Sequence, residues 1–324
     1  MTVVVSCGEP AGIGPEVALK AWNALRLPML WIGDPRHLPD SELPIREVAG
    51  PEEAAEVCGH SFPVLARDLG PPAVPGRPDP AHAQGVIDAI AEGVSLLREG
   101  RATALCTAPI SKAALVEGAR FPHPGHTEYL AHLAGDMDVV MMLACQALRV
   151  VPATIHVALS RVPLLLTPDL LERTIRITEA ALRRDWGLPA PRLAVAGLNP
   201  HAGESGLMGA EEIEIIAPVL DRLRAEGMTL AGPLSADTMF HPEARAGYDA
   251  AICMYHDQAL IPIKTLDFAN GVNVTLGLPF VRTSPDHGTA FGIAGKGVAD
   301  PSSMIAAMEL AEELSRRRGS PWLP

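Results

Sequence analysis

The chain has 324 residues, 48% hydrophobic and 20% charged, so it has enough apolar side chains for a core and is not a disordered protein. Its 26 Lys and Arg against 38 Asp and Glu give a net charge of −12, a sign that repels phosphodiester backbones and argues against a nucleic-acid partner. No apolar run reaches the roughly 18 residues of a membrane span, and the N-terminus lacks signal-peptide features, so we expect a cytoplasmic protein without a membrane partner.

Short β-branched runs alternate with amphipathic runs along the chain, which predicts an α/β fold built from βαβ units around a largely parallel sheet. The predicted strands cover residues 2–6, 29–33, 103–107, 139–144, 150–156, 193–197, 250–254 and 272–276. The predicted helices cover residues 15–25, 84–98, 167–184, 211–226 and 303–317. The proline-rich segment 61–80 is expected to be a surface loop.

Three histidines lie at or just past the ends of predicted strands, where ligands bind in open α/β sheets. They are His156, His201 and His256. Three imidazoles with an open fourth position are typical of a catalytic metal site, although any one of them alone is more often a hydrogen-bonded structural histidine. Carboxylates that orient such rings are expected from Glu204, Asp237 and Asp257, and Asp257 has the alternative role of capping the next helix.

Other polar residues are candidates for binding an anion. Lys264, Asn273 and Arg282 surround one predicted strand, and a guanidinium binds phosphate or carboxylate through two parallel hydrogen bonds. His126 and Thr127 open a helical pattern whose first N–H groups favour an anion, with a plain helix cap at Thr127 as the alternative.

Two glycine-rich tracts lead into predicted helices. GEPAGIGPE at residues 8–16 allows tight turns and close backbone approach, but it matches neither common nucleotide-loop pattern, so a structural turn is the alternative. The tract from Asp286 to Asp300 resembles the adenosine-binding loop of the isocitrate and isopropylmalate dehydrogenase fold.

Together, GEPAGIGPE, TAPISK, GHTEYLA, NPHAGE, YHDQ, NVTLGLPFVRTSPDHGTA and AGKGVADP resemble the 4-hydroxythreonine-4-phosphate dehydrogenase family, in order from residue 8 to residue 301. The resemblance implies a two-domain α/β/α sandwich of the isocitrate/isopropylmalate dehydrogenase type with a cleft between the domains. Residues 1–125 with 275–324 are expected to form the dinucleotide-side domain, and residues 126–274 the metal, substrate and dimerisation domain. It also implies a homodimer with shared active sites.

Carried over position by position, the resemblance implies one divalent metal, zinc, magnesium or cobalt, on His156, His201 and His256. It implies substrate contacts by His126, Thr127, Lys264, Asn273 and Arg282. NAD is expected near Asp286, Gly288, Thr289, Ala290 and Asp300, with Lys112 nearby. Gly292 stands where related loops commonly carry the acidic residue that holds the ribose diol, so NADP stays open as an alternative cofactor.

The implied reaction is NAD-dependent oxidation of 4-phosphohydroxy-L-threonine to the 3-oxo acid in pyridoxal phosphate biosynthesis. Loss of carbon dioxide then gives 3-amino-2-oxopropyl phosphate. Lys264 and Asp237 are the candidate proton acceptors. The alternatives are a paralogous dehydrogenase of 4-phospho-erythronate, 4-phospho-threonate, another hydroxy acid or a cis-dihydrodiol, a metal-dependent phosphohydrolase, and a metabolite-binding regulator.

Overall fold

The computed structural model describes residues 2–322. Its strands are β1 Val3–Ser6, β2 Met29–Gly33, β3 Ile45–Glu47, β4 Phe62–Ala66, β5 Ala104–Thr107, β6 Val140–Cys145, β7 Leu148–Thr154, β8 Arg192–Ala196, β9 Thr229–Leu234, β10 Ala250–Tyr255, β11 Val272–Leu276 and β12 Val281–Pro285. Its helices are α1 Gly14–Leu25, α2 Pro51–Val57, α3 Ala83–Arg98, α4 Lys112–Ala119, α5 His126–Leu133, α6 Val162–Leu165, α7 Pro168–Arg184, α8 Ala217–Ala225, α9 Pro242–Arg245, α10 His256–Leu266 and α11 Ser302–Arg318. The α/β fold class predicted from the sequence is confirmed.

Contacts divide the described chain into two units, residues 2–139 with 278–322 and residues 140–277. The sequence instead suggested domain boundaries after residues 125 and 274. Helix α5 therefore groups with the first unit. No helix among residues 2–322 combines the length and apolar character needed to cross a bilayer.

The first unit is a parallel sheet with the strand order β3-β4-β2-β1-β5-β12. Its central strands β1 and β2 are buried along their whole length because both faces of a parallel sheet are covered by helices. Trp22, Trp31 and Phe62 are fully buried, with the Trp22 and Phe62 rings edge to face at 5.7 Å. This core fixes the strand ends from which β1, β5 and β12 carry candidate site residues.

The second unit has the strand order β11-β6-β7-β10-β8-β9. Pairs from β7 to β9 are parallel, whereas β11 with β6 and β6 with β7 are antiparallel. Small side chains such as Ala194, Ala251 and Cys253 fill its centre and let helix α10 approach through Ala259 and Ile263.

The structure bears out each predicted strand and helix to within two residues, except where the predicted helix 211–226 begins with a π-helical turn at Glu212–Ile216. The prediction of a loop over 61–80 is wrong at its start. There, Phe62–Ala66 forms the interior strand β4, because burial of Phe62, Val64 and Leu65 outweighs the missing N–H of Pro63. Strands β3, β9 and β12 were also not predicted.

Candidate active site

The three histidines follow three strands of the second unit that are hydrogen-bonded neighbours, in the order β7-β10-β8. His156 lies two residues after the end of β7, and His256 directly follows β10. His201 lies in the turn Pro200–Gly206, which follows β8. Since the three strands are parallel, their carboxyl ends meet at one edge of this unit. The expected placement of the histidines at strand ends is therefore found in the structure.

Two side-chain hydrogen bonds tie these strand ends together. Thr154 Oγ1 donates to the carbonyl of Met254 over 2.8 Å. Gln258, which is buried, accepts from the N–H of Met254 at 2.7 Å and donates from Nε2 to the carbonyl of Gly197 at 2.8 Å. The ends of β7, β10 and β8 are thus held in fixed register beneath the histidines.

His156 and His256 form a pair, with ring centroids 5.6 Å apart and planes inclined by 44°. They line a cavity of about 340 Å³ together with Thr154, Tyr255 and Asp257. Asp257 Oδ1 lies 2.7 Å from His256 Nδ1. An ionised carboxylate only accepts, so it pairs with the Nδ1–H tautomer of the ring, and that tautomer keeps on Nε2 the lone pair that a metal ligand needs. Asp257 thus orients this ring, and α10 has Tyr255 at its N-cap.

His201 lies in an unusual turn in which five successive residues, from His201 to Ser205, have left-handed backbone angles. His156 is also left-handed, with φ +51°. For a residue with a Cβ this conformation costs about 1–2 kcal/mol, and such strain is concentrated at functional sites. His201 is exposed. Within residues 2–322 of one chain, no group of three His, Cys, Asp or Glu side chains is arranged to hold a metal.

Arg282 forms a buried cationic site in the first unit. It lies on β12 beside β5, is 3% exposed, and donates from Nη2 to Thr107 Oγ1 at 2.6 Å. Burial lowers the pKa of Arg282 to about 10, so the guanidinium keeps its charge at neutral pH. A guanidinium of this kind is suited to binding an anionic ligand because it forms short charge-assisted hydrogen bonds with carboxylate and phosphate oxygens.

His126 interacts electrostatically with this guanidinium. The residue as a whole is half-buried, but its Nε2 is buried and has no hydrogen-bond partner within the described residues. Burial, and then the charge of Arg282, hold the pKa of His126 well below its ordinary value, so the ring is neutral. Thr127 is half-buried on the same helix, α5, which begins after Gly125 without a side-chain cap, so the expected cap at Thr127 is absent.

The other substrate candidates lie in the second unit. Lys264 is half-buried on α10, with Nζ 5.6 Å from the centre of the Phe268 ring. Asn273 is half-buried on β11, and its Oδ1 is buried without a hydrogen-bond partner in the described part of the chain. Asp237 is exposed in the turn Ala236–Thr238, and Glu204 is exposed in the left-handed turn.

The tract from Asp286 to Asp300 contacts the glycine-rich loop between β1 and α1. The N–H of Ile13 donates to the carbonyl of Thr289 at 3.0 Å, and a Cβ at Gly12 would lie 2.9 Å from that carbonyl oxygen. Asp300 accepts from Ser302 N and Oγ at 2.9 and 2.6 Å, at the first residue of α11, and its pKa is lowered by these bonds. Gly288 and Ala290 are exposed, Asp286 is half-buried, and Lys112 begins α4 on the surface.

A cavity of about 530 Å³ adjoins these two loops in the first unit. Its wall includes Gly12 and Pro15 of the glycine-rich loop, Arg36 and His37 after β2, and Lys296. Lys20 fastens the second loop by donating to the carbonyls of Gly297 and Ala299 at 2.9 and 2.8 Å. The sequence interpretation did not single out Arg36, Lys20 or Lys296, since isolated cations carry no signal of a shared site.

Many α/β enzymes bind small ligands at the carboxyl edge of a sheet. This chain has the features of such enzymes: imidazoles at parallel strand ends beside one cavity, and glycine-rich loops beside another.

Comparison with known proteins then defines the family. The family model described as pyridoxal phosphate biosynthetic protein PdxA matches residues 26–311. The 4-hydroxythreonine-4-phosphate dehydrogenase of Roseobacter denitrificans is 64% identical over 318 residues, covering 97% of both chains. That of Paracoccus denitrificans is 61% identical over 320 residues, covering 98% of both chains. A crystal structure of the Klebsiella pneumoniae 4-hydroxythreonine-4-phosphate dehydrogenase has a TM-score of 0.88 at 37% identity, covering 97% of this chain and 99% of that one.

The chain belongs to the 4-hydroxythreonine-4-phosphate dehydrogenase family, and it is an oxidoreductase. The family resemblance stated from the motifs is confirmed.

Proposed function

We propose that this enzyme oxidises 4-phosphohydroxy-L-threonine with NAD and a divalent metal in pyridoxal phosphate biosynthesis. The product is the 3-oxo acid, which loses carbon dioxide to give 3-amino-2-oxopropyl phosphate. The observation that carries the proposal is the pairing of His156 with His256 at 5.6 Å, with Asp257 fixing the His256 tautomer.

The imidazoles fit a metal in their chemistry. Neutral imidazole nitrogens suit zinc and cobalt, and His256 has the ligand geometry that a carboxylate-bound ring adopts. His156 and His256 would hold the ion from one chain, and His201 of the partner subunit would complete the site. When bound, the ion supplies Lewis acidity that lowers the pKa of the substrate hydroxyl, and NAD accepts the hydride.

A homodimer is supported by apolar side chains exposed near each histidine. Leu159, Leu207 and Ile261 follow His156, His201 and His256 by a few residues and are 66%, 83% and 63% exposed. Large apolar residues of this kind mark interaction surfaces, since exposing them to water is unfavourable. A second copy of the chain covers them in our proposal and brings its own His201 to the pair.

The chain's residues bind the substrate through its charged groups. Arg282 provides a fixed positive charge, and neutral His126 and Thr127 provide hydrogen-bonding groups beside it. Lys264 and Asn273 are the substrate contacts that we propose within the second unit. Proton removal from the hydroxyl is assigned to Lys264 or Asp237, which the pH profiles of Lys264→Met and Asp237→Asn distinguish.

The cavity of the first unit suits the nucleotide. Its volume, about 530 Å³, lies within the range of roughly 300–1,000 Å³ that small-ligand sites occupy. Its wall offers bare glycine backbone for close approach and polar side chains for the ribose and phosphates. Asp286, Gly288, Thr289, Ala290, Asp300 and Lys112 are the proposed cofactor contacts.

The test is a spectrophotometric assay of the full-length protein. Reduced nicotinamide is followed at saturating 4-phosphohydroxy-L-threonine with NAD or NADP, after chelation and after return of zinc, magnesium or cobalt. We expect turnover that needs metal, no release of inorganic phosphate, and loss of turnover in folded His201→Ala. Phosphate release without cofactor reduction would make the enzyme a phosphohydrolase, and turnover only with other hydroxy acids or dihydrodiols would change the substrate.

A further inference from the structure

The turn that carries His201 is built around one buried carboxylate, that of Glu212. Glu212 is 3% exposed, whereas the neighbouring Glu211 and Glu214 reach solvent. Oε1 accepts from the backbone N–H of Asn199 at 2.8 Å, and Oε2 accepts from Asn199 Nδ2 at 3.0 Å. Glu212 therefore fixes the backbone of Asn199, the residue that enters the turn. It holds the Asn199 side chain together with Glu211, whose Oε2 accepts from the same Nδ2 at 2.7 Å.

Glycines let the turn wrap closely around this carboxylate. A Cβ on Gly203 would lie 2.6 Å from Glu212 Oε2, and a Cβ on Gly197 would lie 2.9 Å from Oε1. Gly203 also has φ +80°, a conformation that side chains disfavour. The carboxylate thus sits inside the turn, bonded to Asn199 and close to Gly197 and Gly203.

Two backbone irregularities coincide at this place. The residues from His201 to Ser205 form the left-handed run, and four of the five are not glycine. Glu212 itself opens the π-helical turn Glu212–Ile216. A strained segment persists only where surrounding contacts determine it, and π-helical turns occur frequently at functional sites. Glu212 supplies contacts of this kind from the adjacent element.

We propose that Glu212 is a positioning residue that holds the left-handed turn so that the His201 imidazole is directed outward for metal binding. This inference rests on the proposed role of His201 as a metal ligand. The carboxylate acts on the metal through the turn and does not touch it. A neutral amide cannot replace it fully, because glutamine has one acceptor oxygen for two donors of Asn199.

Glu212→Gln tests this role with Co²⁺ as the probe. The metal-free, full-length protein is titrated with Co²⁺ alone, and the visible d–d absorption of the histidine-bound ion reports affinity and geometry without catalysis. We expect Co²⁺ affinity to fall about 10- to 100-fold, the usual cost of losing a residue that supports a ligand. The band intensity at saturation is also expected to change because the ligand orientation changes.

Glu214→Gln is the matched control. Glu214 is exposed on the same segment, so its substitution removes the same charge two residues away without touching the turn. We expect its Co²⁺ affinity, spectrum and activity to equal those of the unaltered protein. In Glu212→Gln, saturating Co²⁺ is expected to restore most of kcat with the substrate KM unchanged, a split that general misfolding does not produce.

His201→Ala separates failure of this inference from failure of the proposed function. If His201→Ala loses Co²⁺ affinity while folded Glu212→Gln binds within twofold of the unaltered protein, the positioning role is wrong and the ligand role stands. If His201→Ala binds Co²⁺ normally, both are wrong.

Where Glu212→Gln does not fold, Gly203→Ala decides, because the added Cβ displaces the turn from the carboxylate. Normal Co²⁺ affinity in Gly203→Ala overturns the positioning role of Glu212. Weakened Co²⁺ affinity supports it.

Discussion

The buried cationic site of Arg282, Thr107 and His126, which we call the anion cradle, and the turn that carries His201 present their functional groups in opposite ways. Arg282 and His126 lie on a regular strand and a regular helix, and burial sets their protonation states. His201 is exposed in a left-handed turn outside regular structure. The first is assembled from elements that the core already holds, so it is preorganised within one chain.

The second depends on contacts that its own residues do not supply. Its conformation is held by Glu212, and the described residues of one chain do not complete a metal cluster. The two regions therefore differ in what they need to function. The anion cradle needs an intact fold, whereas the histidine group, in our proposal, also needs a second copy of the chain.

The strongest test of this difference is subunit complementation. His201→Ala and His256→Ala are each expected to lose more than about 100-fold in activity, because a lost ligand costs more than a lost supporting residue. Mixing the two inactive proteins under exchange conditions forms heterodimers with one intact site. We expect recovery of about a quarter of native activity, since half of the dimers are mixed and each has one of two sites.

The control for complementation is a mixture of His156→Ala with His256→Ala. Both substitutions affect the pair that belongs to one chain, so no heterodimer has an intact site and no recovery is expected. Equal recovery in both mixtures, or none in either, would contradict a site shared in this way.

Arg282→Lys tests the cradle. Lysine keeps the charge but loses the planar fork that reaches Thr107 and an anion together, so the substrate KM should rise roughly 10- to 100-fold, equivalent to losing one charge-assisted hydrogen bond. The change in kcat should be smaller, because the interaction forms already in the bound ground state. Steady-state kinetics measure both values.

Arg318→Lys is a suitable comparison variant. Arg318 is also buried, and it donates to the carbonyl of Leu278 at 3.0 Å. We expect it to affect stability without raising KM. An unchanged KM in Arg282→Lys would remove Arg282 from the substrate site.

Acid should destabilise the protein through His126. Its folded-state pKa lies well below the unfolded value of about 6.5, so below that pH the unfolded chain binds a proton that the folded chain does not. The free energy of unfolding should therefore fall on acidification from pH 7.5 to 5.5, by up to about 1.4 kcal/mol per pH unit for this group. Urea denaturation at several pH values measures the slope.

His126→Gln should flatten this slope, and His60→Gln, at an exposed position, should leave it unchanged. The pKa of His37 is also lowered by burial, so part of the slope should survive in His126→Gln. A slope identical in all three proteins would show that His126 binds protons equally in the folded and unfolded states, so that folding does not lower its pKa.

Thr154→Val is expected to have the smallest effect. It removes the hydrogen bond to the Met254 carbonyl without changing side-chain shape, at a cost to stability of about 1 kcal/mol. Co²⁺ affinity should weaken by a few-fold, because the ends of β7 and β10 lose one connection. No change in affinity would mean that backbone pairing alone sets the distance between His156 and His256.

The sequence predicted the buried strands and the histidines that follow them, because these features repeat simple patterns of apolar residues. Apolar runs such as that of β1 could be assigned because parallel strands are buried on both faces, and the histidines were found because each follows such a run. Strand β12 was missed because VRTSP is polar and ends in proline, so the burial of Arg282 was not foreseen. The role of Glu212 depends on a turn with no sequence pattern of its own.

The pairing of β7 with β10 has one more consequence. Thr154 and Tyr255 are register partners in neighbouring parallel strands, and the two imidazoles follow them within two residues. Their 5.6 Å separation is close to the roughly 4.8 Å between adjacent strands, so strand pairing, reinforced by the hydrogen bond of Thr154 to Met254, brings the two ligands to this distance. Changes in the loops that follow β7 and β10 should therefore leave the spacing of His156 and His256 largely unchanged, whereas changes in the pairing of these two strands should alter it.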